Sequence, residues 1–147
     1  MKSSDQNVVD RLYTPKQMGD ACEMLVAAEL TLAGRPAVWL PDLWPHYDVI
    51  AELPGYEPQK VSVKSRTPGK HHSRLGFDPA TCDWLAVVLF ENNNDRRIFV
   101  LPKDIAEAHS SKPPKAKKGR ACALAFAKLR KAPLLRYEGN FKLCRDP

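Results

Sequence analysis

The segment "CDWLAVVLF", Cys82 to Phe90, is nearly continuous in apolar residues. A strand with one solvated face alternates polar and apolar side chains, whereas an unbroken apolar run suits a strand covered on both faces. The run is far too short for the roughly 20 residues that cross a bilayer. The chain must therefore supply elements to pack against each side of a central strand.

Between Pro15 and Leu32, the residues Met18, Cys22, Leu25, Val26 and Leu30 recur at helical spacing. Thr14 offers an N-cap, Pro15 fits the first turn and Gly34 follows the end, so the spacing predicts a helix here. "AVWL" reads as a short strand, "PDLWPH" as a proline-punctuated connection, and "YDVIAEL" as a second strand ending at the "PGYEP" turn. "QKVSVKSR", Gln59 to Arg66, returns as a third strand in which Lys60, Ser62 and Lys64 alternate with Val61 and Val63, the pattern of a strand with one buried face. "TPGKHHSRLGFDPAT" has loop composition with clustered basic residues, at a length that suits a functional loop. Beyond the apolar strand, "NNND" turns into a further strand, "RRIFVLP", and "KDIAEAHSS" reads as a short helix. Residues 111–119 form a basic Pro/Lys-rich linker. Arg120 to Lys131 suits an amphipathic C-terminal helix with Cys122, Leu124, Phe126 and Leu129 on its apolar side, followed by a turn-rich tail. No internal repeat and no second domain are visible, so residues 1–147 read as one domain.

Of the 147 residues, 44% are hydrophobic and 27% charged, which suits one compact domain and excludes disordered and fibrous classes. No segment suits a membrane span, and the opening "MKSSDQNVVDRLY" lacks the apolar middle of a secretion signal, which points to the cytoplasm. The four cysteines, Cys22, Cys82, Cys122 and Cys144, lack the short paired spacings of zinc sites and read as free, mostly buried thiols. His71 and His72 would diverge on a strand, and His46 and His109 have no nearby partners. Trp39, Trp44 and Trp84 read as core or boundary packing. Net charge is +6. The excess gathers at Lys60, Lys64, Arg66, Lys70 and Arg74 and again near the C-terminus, and it attracts polyanions, nucleic acid first, through counterion release.

Asp48 opens one strand and Lys64 stands in the next, and neighbouring strands about 4.8 Å apart can bring both to one sheet edge. Glu23, on the first helix, can reach the same place. Two acids and a lysine so arranged are a route to a divalent-metal site. With this order of elements the chain resembles the PD-(D/E)xK superfamily of restriction-endonuclease-like nucleases, among them its small resolvase-like and intron-endonuclease-like members. The resemblance runs from about Gly19 to Pro102, through "GDACE", Gly34, "YDVI", "VSVKSR", "CDWLAVVLF" and "RRIFVLP".

The resemblance implies an α/β fold with a restriction-endonuclease-like core, a mixed central sheet of about four to five strands flanked by helices. It implies that Asp48 binds a divalent metal, that Lys64 assists the attacking water and that Glu23 completes the site. Where those proteins usually carry Glu, Asp or Gln, this chain has Ser62, whose neutral hydroxyl is a weaker ligand for Mg2+. Glu23 or the Val63 carbonyl would make up the loss. Glu52 ranks behind them because it lies roughly 13 Å further along the strand, and Glu29 because it sits almost two turns past Glu23. The implied activity is Mg2+- or Mn2+-dependent hydrolysis of DNA phosphodiester bonds, branched or nicked DNA among the candidate substrates. Lys60, Arg66, Lys70 and Arg74 would contact nucleic acid, and a homodimer would cut both strands. The alternative is a catalytically decayed nuclease fold that binds nucleic acid or a protein partner without cutting.

Overall fold

The computed structural model describes residues 12–42, 46–91, 95–112 and 121–147. Trp44 and most of the linker at 111–119 lie outside them. Helix α1 spans Pro15–Leu32. It starts where the sequence predicts because Thr14 and Gln17 form a capping box, the Thr14 hydroxyl accepting from the Gln17 N–H (3.1 Å) and the Gln17 side chain accepting from the Thr14 N–H (2.9 Å). Past its end, Gly34 takes a φ of +91°, a conformation that favours glycine.

The strands are β1 (Ala37–Trp39), β2 (Val49–Ala51), β3 (Gln59–Arg66), β4 (Arg74–Phe77), β5 (Trp84–Phe90), β6 (Arg96–Pro102) and β7 (Cys122–Ala125). Five of them form one sheet in the order β1-β2-β3-β5-β6, mixed because β3 and β5 run parallel while the other neighbours are antiparallel. β4 and β7 pair separately, antiparallel. Two short helices, α2 (Lys103–Ala108) and α3 (Phe126–Leu129), complete the elements.

All seven residues of β5 are buried, as its unbroken apolar run predicts. Trp84, Ala86, Val88 and Phe90 pack with Cys22, Val26 and Leu30 of α1, while Leu85, Val87 and Leu89 pack with Leu75, Phe77, Leu124, Phe126 and Ala106 in a second core. Each large apolar side chain so buried contributes about 1.5–3 kcal/mol. α1 thus covers one face of the sheet, and the β4–β7 pair with α2 and α3 covers the other.

Three readings of the sequence are corrected. The segment from Arg120 to Lys131 is not one amphipathic helix: Cys122–Ala125 is a strand and only Phe126–Leu129 is helical. Cys122 and Leu124 are buried two residues apart, a strand period satisfied by pairing with β4. The basic segment after Arg66 is not all loop, since it holds β4 and a 3-10 turn at Pro79–Thr81. Finally, β3 is covered on both faces in its middle, where Val61, Ser62 and Val63 are all buried.

The tail closes one edge of the sheet. Leu134 and Tyr137 belong to the second core and Leu143 to the first, so the chain wraps around β6. The Gly139 N–H donates to the Ile98 carbonyl (2.8 Å), and the buried Asn140 side chain bonds Val100 O (3.1 Å), Cys144 O (2.8 Å) and the Cys144 N–H (3.1 Å). At the opposite edge, the Ala37 N–H of β1 is taken by the Thr31 hydroxyl (3.0 Å), which itself donates to Ala27 O (2.8 Å).

Candidate active site at a strand fork

β2 pairs with β3 only from Gln59 to Val61, and from Ser62 onward β3 is paired to β5 alone. A fork opens there. Asp48 sits at its mouth: Val49 is the partner of Val61, yet the Asp48 N–H also donates to the Val61 carbonyl (3.0 Å). Two residues therefore oppose one, the arrangement of a β-bulge, which re-aims a side chain out of simple alternation. The Asp48 carboxylate caps the fork, Oδ2 accepting from the Val63 N–H (2.7 Å).

Glu23 meets Asp48 from α1. It is half-buried, and its carboxyl is pushed from an ordinary 4.5 to about 8, first by burial, then by its hydrogen bond to the Asp48 carboxylate and by the charges of Asp48, Asp20 and Asp42. A Glu23 that keeps its proton near neutral pH donates it to Asp48. Lys16 holds the outer two acids, its Nζ bonding Asp20 (3.1 Å) and Asp42 (2.6 Å), which raises the lysine's own pKa. Sequence reasoning missed this outer group. The signal was partly present, since Lys16, Asp20 and Glu23 are spaced to share one helix face, but Asp42 reaches them only through the fold.

Ser62 is 6% exposed and in register with Leu85, and Val63 is buried beside Ala86. Lys64 is half-buried, one residue past the N–H that Asp48 holds, and alternation puts its stem on the side of β3 away from Val63. Its ammonium acts electrostatically on Cys82, whose thiol burial pushes up to about 11. That thiol is no nucleophile. Glu52 lies away from the fork, lining a separate cavity of about 270 Å³ with Gly34 and Pro58, and Glu29 stays further along α1. Lys60 is exposed over the Tyr47 ring (5.4 Å), Arg66 ends β3, and Lys70 and Arg74 are exposed beyond it. The structure thus brings Glu23 and Asp48 into contact, with the Val63 N–H on Asp48, and leaves the basic residues spread from β3 to the start of β4.

Cys22, Cys82 and Cys122 are buried thiols, whereas Cys144 is exposed. Trp84 is buried, with its Nε1 donating to Gln59 (2.8 Å), whereas Trp39, expected in the core or at its boundary, is exposed at 37%. Among the described residues no helix is long and apolar enough to cross a membrane.

The fold class that these elements define is shared with a nuclease. The bacterial homing endonuclease I-Ssp6803I superposes with a TM-score of 0.62 over 90% of this chain and 94% of its own, at 14% sequence identity. At that identity the likeness shows the fold. No protein-family model matches the sequence, and no curated protein matches it.

Proposed function

We propose that the protein is a metal-dependent endonuclease, of the PD-(D/E)xK kind, hydrolysing DNA phosphodiester bonds at the fork between β2 and β3. The observation that carries this reading is the Glu23–Asp48 contact. Two half-buried carboxyls pressed together repel when both ionise, and here one keeps its proton to a pH near 8. Such an arrangement suits a place where a divalent cation replaces the shared proton. The donor set fits Mg2+ or Mn2+: hard anionic oxygens, and Mg2+ commonly binds through one or two carboxylates with water and substrate phosphate filling the other positions. Among the described residues no group of three or more His, Cys, Asp or Glu gathers as a metal site would.

Bound there, the ion would polarise the phosphate and lower the pKa of a coordinated water. Asp48 is pre-positioned by the Val63 N–H, and the Val63 carbonyl is a further oxygen donor on the same residue. Glu23 supplies the negative charge that Ser62 does not. Lys64, as an ammonium, stabilises charge growing on the phosphate oxygens. Lys60, Arg66, Lys70 and Arg74 hold the nucleic-acid strand electrostatically. A second copy presenting the same fork to the opposite strand would turn a nick into a double-strand break.

The test is incubation of plasmid, nicked and junction DNA with Mg2+ or Mn2+. Cleavage is expected from the parent protein and is lost in EDTA. Asp48→Asn and Lys64→Ala should each lower it by about two orders of magnitude or more. Folded protein that leaves every DNA intact overturns the reading. Salt-sensitive binding that ignores EDTA and survives Asp48→Asn would instead support a fold that holds DNA without cutting it.

A further inference from the structure

The connection from β2 to β3 walls the cavity of about 270 Å³ at the end of β2 remote from Asp48. Leu53 to Tyr56 form a turn in which the Tyr56 N–H donates to the Leu53 carbonyl (3.0 Å), with Pro54 second and Gly55 third, and the φ of +84° at Gly55 suits a type II turn. The Glu52 N–H donates to the Pro36 carbonyl (2.9 Å) and the Gln59 side chain to the Glu57 carbonyl (2.7 Å), so the backbone on both flanks is tied down. Pro36, Pro54, Pro58 and Tyr56 line the cavity together with Glu52. Glu57 stands between two of these lining residues, and both acids are exposed. Among the described residues every other acid except Glu29 and Asp95 has its side chain in a hydrogen bond or ion pair, whereas Glu52 and Glu57, on either side of this turn, have none. Tyr56 is 71% exposed, and its hydroxyl makes no hydrogen bond among the described residues.

We propose that this cavity takes an arginine side chain from a basic segment of another protein. Its volume falls below the roughly 300–1,000 Å³ of cofactor and drug-sized sites, so it suits one side chain rather than a whole small molecule. The two carboxylates repel phosphate, which turns this end of a chain with net charge +6 away from nucleic acid and towards a cation. A guanidinium is the cation that matches the lining: it is planar, pairs with a carboxylate through parallel N–H bonds and stacks on an aromatic ring, here Glu52 and Tyr56, while its methylene stem lies against the prolines. Glu57, past Tyr56, takes a second cation of the same segment, a contact that a lone small amine would leave unused. The turn and its two backbone ties hold these groups in place beforehand, so little ordering is spent on binding. β2 separates Glu52 from Asp48 by roughly 13 Å, and the docked segment therefore leaves the fork open, whether or not the fork cuts DNA.

The experiment is an NMR titration of the isotope-labelled full chain with a short capped peptide of glycine and serine that carries a pair of arginines. The same peptide with lysine or with neutral citrulline in their place, a singly charged peptide and free arginine amide are run beside it, and thermal melts show that the variants fold. Saturable shifts should centre on the amides of Gly34, Gly55 and Tyr56. Glu52→Gln and Tyr56→Ala should each weaken the arginine peptide about fivefold, and Glu57→Gln should weaken the paired peptide while sparing the singly charged one. Lysine should bind less tightly than arginine, and citrulline should not bind. Shifts centred on Asp20, Asp42 or the fork, or equal binding of the citrulline peptide, would overturn the inference. Arginine amide binding as tightly as the peptide would give the cavity to a free small cation and overturn the protein partner. The same amides shifting as the protein alone is concentrated would make the occupant a second copy, and that too would overturn it.

Discussion

Glu23→Gln replaces an acid with an amide of the same shape that is neutral at every pH. In the parent, burial and the Asp48 contact raise Glu23 from 4.5 to about 8. Between those values the folded state binds more protons at Glu23 than the unfolded state, so this group's contribution to stability is greatest below pH 4.5, falls as pH rises towards 8 and then levels off. Unscreened, that interval corresponds to about 5 kcal/mol. The carboxyl is only half-buried, and solvent screening brings the effect to about 1–2 kcal/mol. The variant keeps a donor for Asp48 and loses the second charge. In EDTA at about pH 9 it should melt roughly 2–6 °C above the parent, with the difference vanishing by about pH 5. Adding Mn2+ should reverse the order, because the parent gains about 2.7 kcal/mol at a hundredfold excess over its Kd while the variant has lost a ligand. Parallel melting profiles across this pH range, or equal responses to Mn2+, would refute the reasoning.

Asp48→Ala should cost about 1–3 kcal/mol because it leaves the Val63 N–H without its acceptor, whereas Asp48→Asn should stay within about 1 kcal/mol; identical urea midpoints would show that the carboxylate does not anchor the fork. Leu124→Ala, at a fully buried position of β7, should cost about 2–5 kcal/mol in urea unfolding, and a much smaller loss would contradict the second core as described. Asn140→Ala should cost about 2–3 kcal/mol and expose the tail to limited proteolysis; an equally protected tail would mean that its three hydrogen bonds are not what fastens it.

α1 was legible because its period, its cap and its terminating glycine are local signals written within one segment. β5 was legible for a related reason, since a seven-residue apolar strand has no other way to be satisfied than by cover on both sides. β3 misled because alternation reports polarity and not cover: a residue as small as Ser62 can be buried without looking buried in the sequence. β7 was mistaken for helix because alanines and lysines suggest one, although Cys122, Leu124 and Phe126 keep a period of two. That Asp48 and Glu23 would meet could be anticipated from the order of elements around them. The bulge that turns Asp48, and the union of Asp42 with Asp20 through Lys16, depend on chain segments far apart in sequence and left no local trace.

The Thr31 hydroxyl on the Ala37 N–H and the Gly139 N–H on the Ile98 carbonyl have a bearing on self-assembly. With a three-residue border on one side and a strapped one on the other, neither margin offers a long template on which an identical molecule could continue the ladder. Runaway stacking into fibres is thereby discouraged. Copies of this protein that meet must do so through side-chain surfaces, where geometry can set how far apart their two forks stand.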